Sequence, residues 1–204
     1  MKKIRMHAVF WLTIFLTHAA LAGTAVIGSP APDFSLPDTH GQSRSLSEFK
    51  GKFVVLEWNN PDCPFVKRHY ETGNMQRLQK EFTEKGVAWL AIDSSAPGKQ
   101  GNYLAEEHNK ILEERGSNVT ALFLDPDGKV GRMYGANTTP HMFVVNPDGN
   151  VIYNGAIDSN AWAESPQAKS VENYVEIALY QAMAGEAVTP SSTQPYGCSV
   201  KYAS

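Results

Sequence analysis

The feature that most constrains the fold of this chain is the order in which strand-like and helix-like segments follow one another. Phe53–Trp58 is rich in β-branched and aromatic residues and follows Gly51, which predicts a buried strand. The further predicted strands are Val87–Ile92, Thr120–Leu124, Met142–Val145 and Val151–Tyr153, and the predicted helices are Pro64–Lys85 with a kink at Gly73-Asn74, Asn102–Arg115, Val130–Tyr134 and Ser170–Met183. This order predicts an α/β fold with a central mixed β-sheet and helices on both faces.

Residues 1–22 are typical of a secretory signal peptide. Basic residues precede the short apolar run Ala8–Leu16, and Ala20-Leu21-Ala22 is a small-residue cleavage site, so the mature chain is expected to begin at Gly23. An uncleaved membrane anchor is the alternative, but the apolar run is shorter than the roughly 20 residues that span a bilayer. The sequence therefore predicts a protein of the periplasm or the cell exterior, with no membrane attachment after cleavage.

The length of 204 residues suits one domain. Residues 23–185 form the predicted domain, and residues 186–204 form a C-terminal tail whose last apolar side chains are expected to dock on it: Tyr196, Cys198, Val200 and Tyr202. The chain has 18 basic and 21 acidic residues and a net charge of -3. It has no excess of positive charge for binding a polyanion, so a nucleic-acid partner is not expected.

Cys63 stands directly before Pro64, at the start of a predicted helix. A proline suits the first helical position, and a thiol placed there faces free backbone N–H groups and the positive end of the helix dipole. Both favour the thiolate, which is the reactive form of cysteine. Lys67 and Arg68 are expected to add positive potential, whereas Asp62 opposes it. The sequence favours a reactive Cys63, and an inert buried cysteine is the alternative.

Thr139-Pro140 stands directly before the predicted strand Met142–Val145. Proline is confined to special places in sheets, so this bond is a candidate cis peptide that lies beside Cys63. An ordinary trans proline in a loop is the alternative. His141 is the histidine expected to lie nearest Cys63, although the histidines show no metal-ligand spacing and no cofactor is expected.

Several stretches together resemble the thioredoxin-like superfamily, specifically its alkyl hydroperoxide reductase and thiol-specific antioxidant (redoxin) branch and the periplasmic thiol-disulfide oxidoreductases beside it. The similar stretches are Ala31–Leu36, Phe53–Pro64, Phe123–Gly135 and Thr139–Gly149. The resemblance implies a thioredoxin-like fold, Cys63 as the catalytic nucleophile, and a substrate groove shaped by Thr139, Pro140 and Pro64. It also implies an oxidoreductase that acts on a peroxide or a protein disulfide and is recycled by an external thiol reductant.

The chain departs from the patterns of this superfamily at the active site. Thioredoxin-type enzymes carry Cys-x-x-Cys, but Cys63–Val66 keeps only the first thiol. The positions of the peroxiredoxin signature hold Leu56 and Asn60, and Pro140 replaces the activating arginine. Cys198, in the tail, is expected to supply the missing resolving thiol. A disulfide or free thiol that only pins the tail is the alternative, because two cysteines reveal neither pairing nor lability.

Two hypotheses about function follow from the sequence. The first is an exported thiol-dependent oxidoreductase in which Cys63 attacks the substrate, Cys198 resolves the intermediate, and Lys67, Arg68 and Glu57 support the site. Glu57 stands near the end of the predicted strand and is expected to be a partly exposed structural acid, with a proton relay as the alternative. The second is a non-catalytic binding module of the same fold that holds copper or zinc through Cys63 and His141. The rate at which Cys63 reacts with a thiol probe distinguishes them.

Overall fold

The computed structural model describes residues 25–165 and 168–204, so the predicted signal peptide lies outside the described residues. The strands are β1 Ser35–Pro37, β2 Ser43–Ser45, β3 Val54–Trp58, β4 Ala88–Asp93, β5 Ala121–Leu124, β6 Thr138–Thr139, β7 His141–Val145, β8 Val151–Gly155 and β9 Cys198–Ser199. The α-helices are α1 Pro64–Glu71, α2 Asn74–Glu84, α3 Ala105–Glu114, α4 Lys129–Tyr134 and α5 Tyr174–Met183. A short 3-10 helix, Leu46–Phe49, follows β2.

Five strands form the central sheet in the order β5-β4-β3-β7-β8. β3 pairs with β4 and β4 with β5 in parallel, whereas β7 is antiparallel to both β3 and β8. The alternation of side chains along each strand feeds two hydrophobic clusters, one on each face. One cluster packs against α4 and the 3-10 helix, and the other packs against α1, α2 and α5. The prediction of a mixed sheet with helices on both faces is confirmed.

The predicted helix Pro64–Lys85 is two helices, because Gly73 adopts a left-handed conformation with φ 73° between α1 and α2. A side chain on the backbone of Gly73 would disfavour this conformation. The last helix begins at Tyr174 and not at Ser170. Asn173 is its N-cap and accepts a hydrogen bond from the backbone N–H of Glu176, which is the side-chain capping that starts helices.

The C-terminal tail runs across the domain and is bonded to it at several points. At one end the backbones of Asn154 and Thr193 are hydrogen-bonded. In the middle β9 pairs antiparallel with β6. At the other end the carbonyl of Lys201 accepts from Ala96 N–H, and the Tyr202 hydroxyl donates to the carbonyl of Ala136. The tail is thus held on both sides of Cys198.

Within residues 25–165 and 168–204, no helix is long and apolar enough to span a membrane.

Candidate active site

Cys63 is the N-cap residue of α1, immediately before Pro64. Its backbone is extended (φ -67°, ψ 124°), and its carbonyl accepts the first hydrogen bond of the helix from Lys67 N–H. Cys63 is fully buried, whereas Pro64 is exposed. The buried strand β3 and the turn after it place the thiol at the free N–H groups of the helix, as its position in the sequence predicted.

The peptide bond between Thr139 and Pro140 is cis, as predicted. Cys63 Sγ lies 3.0 Å from the carbonyl oxygen of Thr139 and donates to it when the thiol is protonated. Thr139 and Pro140 are both buried. The segment that carries the cis-proline is therefore in direct contact with the cysteine, although the two are more than 70 residues apart in the chain.

Cys198 is the second sulfur of the site. The pairing of β9 with β6 sets Cys198 opposite Thr139, and this brings Cys198 Sγ to 2.7 Å from Cys63 Sγ. Both cysteines are free thiols in the structure. A disulfide bond is about 2.05 Å long, so a shift of less than about 1 Å would join the two sulfurs.

The pKa values of the two cysteines shift in opposite directions. Burial raises the pKa of Cys63, but side-chain hydrogen bonds with Cys198 and Thr139 and the backbone N–H groups of Val66 and Cys198 outweigh burial, so the pKa lies below its ordinary value of 9.0. Burial and the neighbouring Cys63 raise the pKa of Cys198 to about 12. The two pKa values therefore move apart, so Cys63 loses its proton before Cys198 does, and the Cys198 thiol can then donate to the Cys63 thiolate.

Gly197 allows the tail to approach this closely. Its φ is 134°, and a Cβ at this position would collide with the carbonyl oxygen of Thr139. Only glycine fits a backbone that packs on the cis-proline segment in this way. Gly197 and Cys198 thus form one unit, in which the first residue provides the close approach and the second provides the sulfur.

Comparison with known proteins agrees with this geometry. A model of the AhpC/TSA family matches residues 27–154. The chain belongs to the AhpC/TSA family. It is 32% identical over 137 residues to the thiol-disulfide oxidoreductase ResA of Bacillus subtilis, which covers 66% of this chain and 71% of the relative.

Two solved structures support the thioredoxin-like fold of this AhpC/TSA protein. A hypothetical protein from Sinorhizobium meliloti superposes with a TM-score of 0.76 at 23% identity and covers 89% of this chain and 97% of its own. The thioredoxin domain of a thiol-disulfide oxidoreductase from Bacteroides vulgatus superposes with a TM-score of 0.50 at 26% identity, covering 63% of this chain and 87% of its own. The family match includes Cys63 and Pro140 but ends before Cys198.

Tyr196 anchors the tail of this AhpC/TSA protein beside its two cysteines. Its hydroxyl donates to the buried carboxylate of Asp158 and accepts from the Arg68 guanidinium at 3.0 Å. His69 Nε2 lies 3.1 Å from the same oxygen. Burial raises the pKa of Asp158, and the hydrogen bond from Tyr196 opposes that rise. The network therefore links the tail to the helix that carries Cys63.

Replacing Tyr196 with phenylalanine is expected to lower the free energy of unfolding by about 2 kcal/mol, because the ring is kept while buried charged groups lose a hydrogen-bond partner. Urea denaturation of the reduced protein measures this change. The matched control is Tyr180→Phe, which removes an exposed hydroxyl on α5 that bonds to Glu81 at the surface, and it is expected to cost less than about 1 kcal/mol because that hydrogen bond is solvated. Equal losses in the two variants would contradict the anchoring role.

Lys67 and Arg68 were expected to raise the positive potential at Cys63, but their charges are directed elsewhere. Lys67 Nζ lies 3.9 Å from Asp62 on the surface. Arg68 pairs with Asp158 at 3.7 Å and donates to carbonyl groups of the loop that follows, at Asn160, Ala161 and Ala163. Each positive charge is thus compensated by a carboxylate, that of Lys67 by Asp62 and that of Arg68 by Asp158, and neither is among the groups that lower the pKa of Cys63. Arg68 thus holds the tail anchor and the loop.

Glu57, predicted to be a partly exposed supporting acid, is fully buried in the central strand β3. The indole N–H of Trp89 donates to its Oε2 at 2.8 Å, and the amide of Gln79 donates at 3.3 Å. Burial raises its pKa from an ordinary 4.5 to about 7, and these hydrogen bonds only partly oppose burial. Glu57 is thus a carboxyl group that titrates near neutral pH on the sheet face that also carries Cys63.

Glu57 makes stability depend on pH. Because its pKa is raised in the folded state, the folded protein binds more protons than the unfolded chain between about pH 4.5 and 7, and stability falls as the pH rises through this window. The free energy of unfolding of Glu57→Gln, relative to that of the wild type, is expected to rise by about 3 kcal/mol as the pH increases from 4 to 8. Urea denaturation of both proteins across this range measures the difference. The exposed Glu84→Gln should show the same pH dependence as the wild type, and a difference for Glu57→Gln that does not change with pH would contradict the assignment.

His141 does not face the thiol. Its ring stacks on Phe143 with centroids 4.6 Å apart, and its Nε2 bonds to Asn154 Oδ1 at 2.7 Å. Phe143 belongs to the cluster on one face of the sheet, whereas Met142 shares the opposite cluster with Cys63. Strand alternation separates the two side chains, so the proposed copper or zinc pair of Cys63 and His141 is not formed. Among the described residues, no group of three metal-ligating side chains is assembled.

An aromatic surface that the sequence analysis did not predict borders the cysteine pair. Phe65 contacts Trp162 edge-on at 5.2 Å and Tyr196 at 5.9 Å. Trp162 is 82% exposed. These three residues come from α1, a loop and the tail, so no local pattern in the sequence brings them together. They give the exposed rim of the site an apolar character.

Proposed function

We propose that this protein is an exported thiol-disulfide oxidoreductase that works through a dithiol formed by Cys63 and Cys198. The observation that carries the proposal is the 2.7 Å approach of the two sulfurs, one with a lowered and the other with a raised pKa. Oxidoreductases of this kind need a thiolate and a second thiol within reach of each other. Cys198 supplies the thiol that Cys63–Val66 lacks.

Family membership and similarity to a thiol-disulfide oxidoreductase make the chain a thiol oxidoreductase. What the proposal adds is the pair of sulfurs and the location. Within the pair, Cys63 is the sulfur that ionises more readily, since its thiolate is favoured by the start of α1 and by Cys198. The substrate is a disulfide in a protein, and the reductant is an external thiol. Residues 1–22 direct the chain to an oxidising compartment, where such exchange occurs.

The overall reaction moves two electrons. In the dithiol form, the protein gives two electrons to the substrate disulfide, which becomes two thiols, and the bond between Cys63 and Cys198 forms. In the disulfide form, two external thiols supply two electrons, their sulfurs join, and both cysteines return to the reduced state. Thr139 and Pro140 line the site next to the reacting sulfurs.

Thiol counting and peptide mapping of the mature protein test this proposal. We expect two thiols after treatment with dithiothreitol, none after mild oxidation with glutathione disulfide, and a single peptide linkage between positions 63 and 198. We also expect the reduced protein to accelerate the reduction of insulin disulfides by dithiothreitol. Two thiols that persist after oxidation would contradict the proposal.

Peroxide is the other substrate that the sequence suggested. Consumption of hydrogen peroxide at a rate far above that of a free thiol, without any effect on insulin, would assign the pair to peroxide reduction instead. The same two cysteines would then be oxidised by peroxide and not by a protein disulfide. The insulin and hydrogen peroxide assays, run on one preparation, decide between the two substrates.

A further inference from the structure

The two sulfurs of the site differ in their accessibility. Cys63 has no exposed surface, whereas Cys198 is only partly buried. The tail causes this difference, since β9 lies over the segment that carries Thr139 and places Cys198 on the solvent side of Cys63. Given the proposed function, this asymmetry decides where an external sulfur can react.

A thiolate attacks a disulfide in line, from the side opposite the sulfur that leaves. Every approach to Cys63 is covered by protein, so an external thiolate that attacked it would have to pass through the packed core or displace the tail. Cys198, in contrast, is partly exposed, so an external thiolate can reach it from solvent without displacing the tail. We infer that external thiols exchange at Cys198 and that Cys63 is the buried leaving group, which reverses the order of roles that the sequence suggested.

The nature of the leaving group points the same way. A sulfur that is stable as a thiolate leaves faster, and Cys63 is that sulfur because it caps α1 and accepts hydrogen bonds from Val66 and Cys198. The ammonium of Lys201 acts on Cys198 and lowers its pKa slightly against the larger effect of burial. Its positive charge also favours the approach of an anionic thiolate to Cys198.

The tail is held firmly enough to keep Cys63 covered. Tyr196 precedes the pair and bonds to Asp158 and Arg68. After the pair, Val200 N–H donates to the carbonyl of Asn137, and the Arg132 guanidinium packs on the ring of Tyr202. Anchors on both sides of Cys198 must be broken before Cys63 becomes accessible.

The reduction steps balance as follows. An external thiolate bonds to Cys198 Sγ, the bond from Cys198 to Cys63 breaks, and its electron pair remains on Cys63 as a thiolate. A second external thiolate then bonds to the external sulfur of the mixed disulfide, which releases an external disulfide and the Cys198 thiolate. Cys198 takes up a proton. In the reverse direction, Cys198 attacks one sulfur of the substrate disulfide while its proton passes to Cys63, and the other substrate sulfur leaves as a thiolate. Cys63 then gives its proton to solvent and attacks Cys198 Sγ, which forms the Cys63–Cys198 bond and releases the second substrate sulfur as a thiolate.

Rapid-quench mapping of the oxidised wild-type protein tests this assignment. The protein is first shown to hold the Cys63–Cys198 disulfide, mixed with glutathione, quenched with acid within the first turnover, and digested. We expect glutathione on the Cys198 peptide in about tenfold or greater excess over the Cys63 peptide. Equal labelling, or glutathione mainly on Cys63, would overturn the inference.

A variant with a disturbed tail gives a second, independent readout. Gly197→Ala introduces a Cβ that collides with the carbonyl of Thr139, so it should lift β9 and raise the share of glutathione on Cys63 several-fold. Gln194→Ala, at an exposed position of the tail, is the control and should label as the wild type does. An unchanged share in Gly197→Ala would overturn the inference. Absence of the disulfide before glutathione is added would instead contradict the proposed function.

Discussion

Replacing Cys63 with serine is expected to reduce insulin reduction by this protein on the order of a thousandfold or more, to the background rate of dithiothreitol. A serine hydroxyl does not ionise near neutral pH, so the start of α1 has no thiolate to stabilise. The variant also lacks the leaving group on which reduction depends. The ratio is obtained from the turnover of the wild type and of the variant at equal protein concentration, each corrected for the rate of dithiothreitol alone.

The expected loss belongs to the missing sulfur and not to disturbed folding. Cys63→Ala should lose the same activity, and urea denaturation should show that both variants unfold cooperatively, since Cys63 contributes only a small side chain to the cluster that it shares with Val66 and Met142. Activity within tenfold of the wild type in either variant would show that Cys63 is a structural residue.

Replacing Cys198 with serine is expected to lower turnover by about a hundredfold and to abolish the intramolecular disulfide. The remaining Cys63 stays covered by the tail. A serine hydroxyl can still donate to Cys63, so Cys198→Ala is the variant that removes this hydrogen bond and should raise the pKa of Cys63 relative to the wild type. The pH dependence of Cys63 alkylation by iodoacetamide in Cys198→Ala measures that rise.

Ser199→Ala is the matched control for Cys198→Ser, because it changes the neighbouring residue of β9 at an exposed position without removing a sulfur. It should retain full turnover and the disulfide. If Cys198→Ser turns over as fast as Ser199→Ala does, Cys198 only pins the tail and Cys63 acts with an external thiol alone.

The sequence predicted those parts of the site that depend on local structure. A buried strand, a short turn and a proline at the first helical position place Cys63 at the N-terminus of α1 whatever the remainder of the chain does. The cis bond before Pro140 was predicted from a proline at the entrance to a strand in combination with Cys63. Each of the two segments has a recognisable local pattern, and the cis prediction needed both.

The features that sequence analysis missed depend on contacts between distant segments. Arg68 was assigned to Cys63 by its spacing along the helix, but its partners are Asp158 and a loop more than 90 residues away. Glu57 was expected to be partly exposed near the end of its strand. The neighbours of β3 on both sides, β4 and β7, bury it completely. Neither the sheet order nor the path of the tail can be read from local patterns.

The path of the tail has a consequence for how this protein can be altered by recombination. Three glycines of the domain lie directly beneath it, where a side chain would strike the tail: Gly128, Gly131 and Gly155. A fourth, Gly197, lies within the tail, where a side chain would strike the domain. A chimera that grafts residues 186–204 onto another member of the family must therefore also carry glycine at the three acceptor positions. Without these glycines the transplanted tail cannot pack on the domain, and Cys198 does not reach the cysteine at the start of α1.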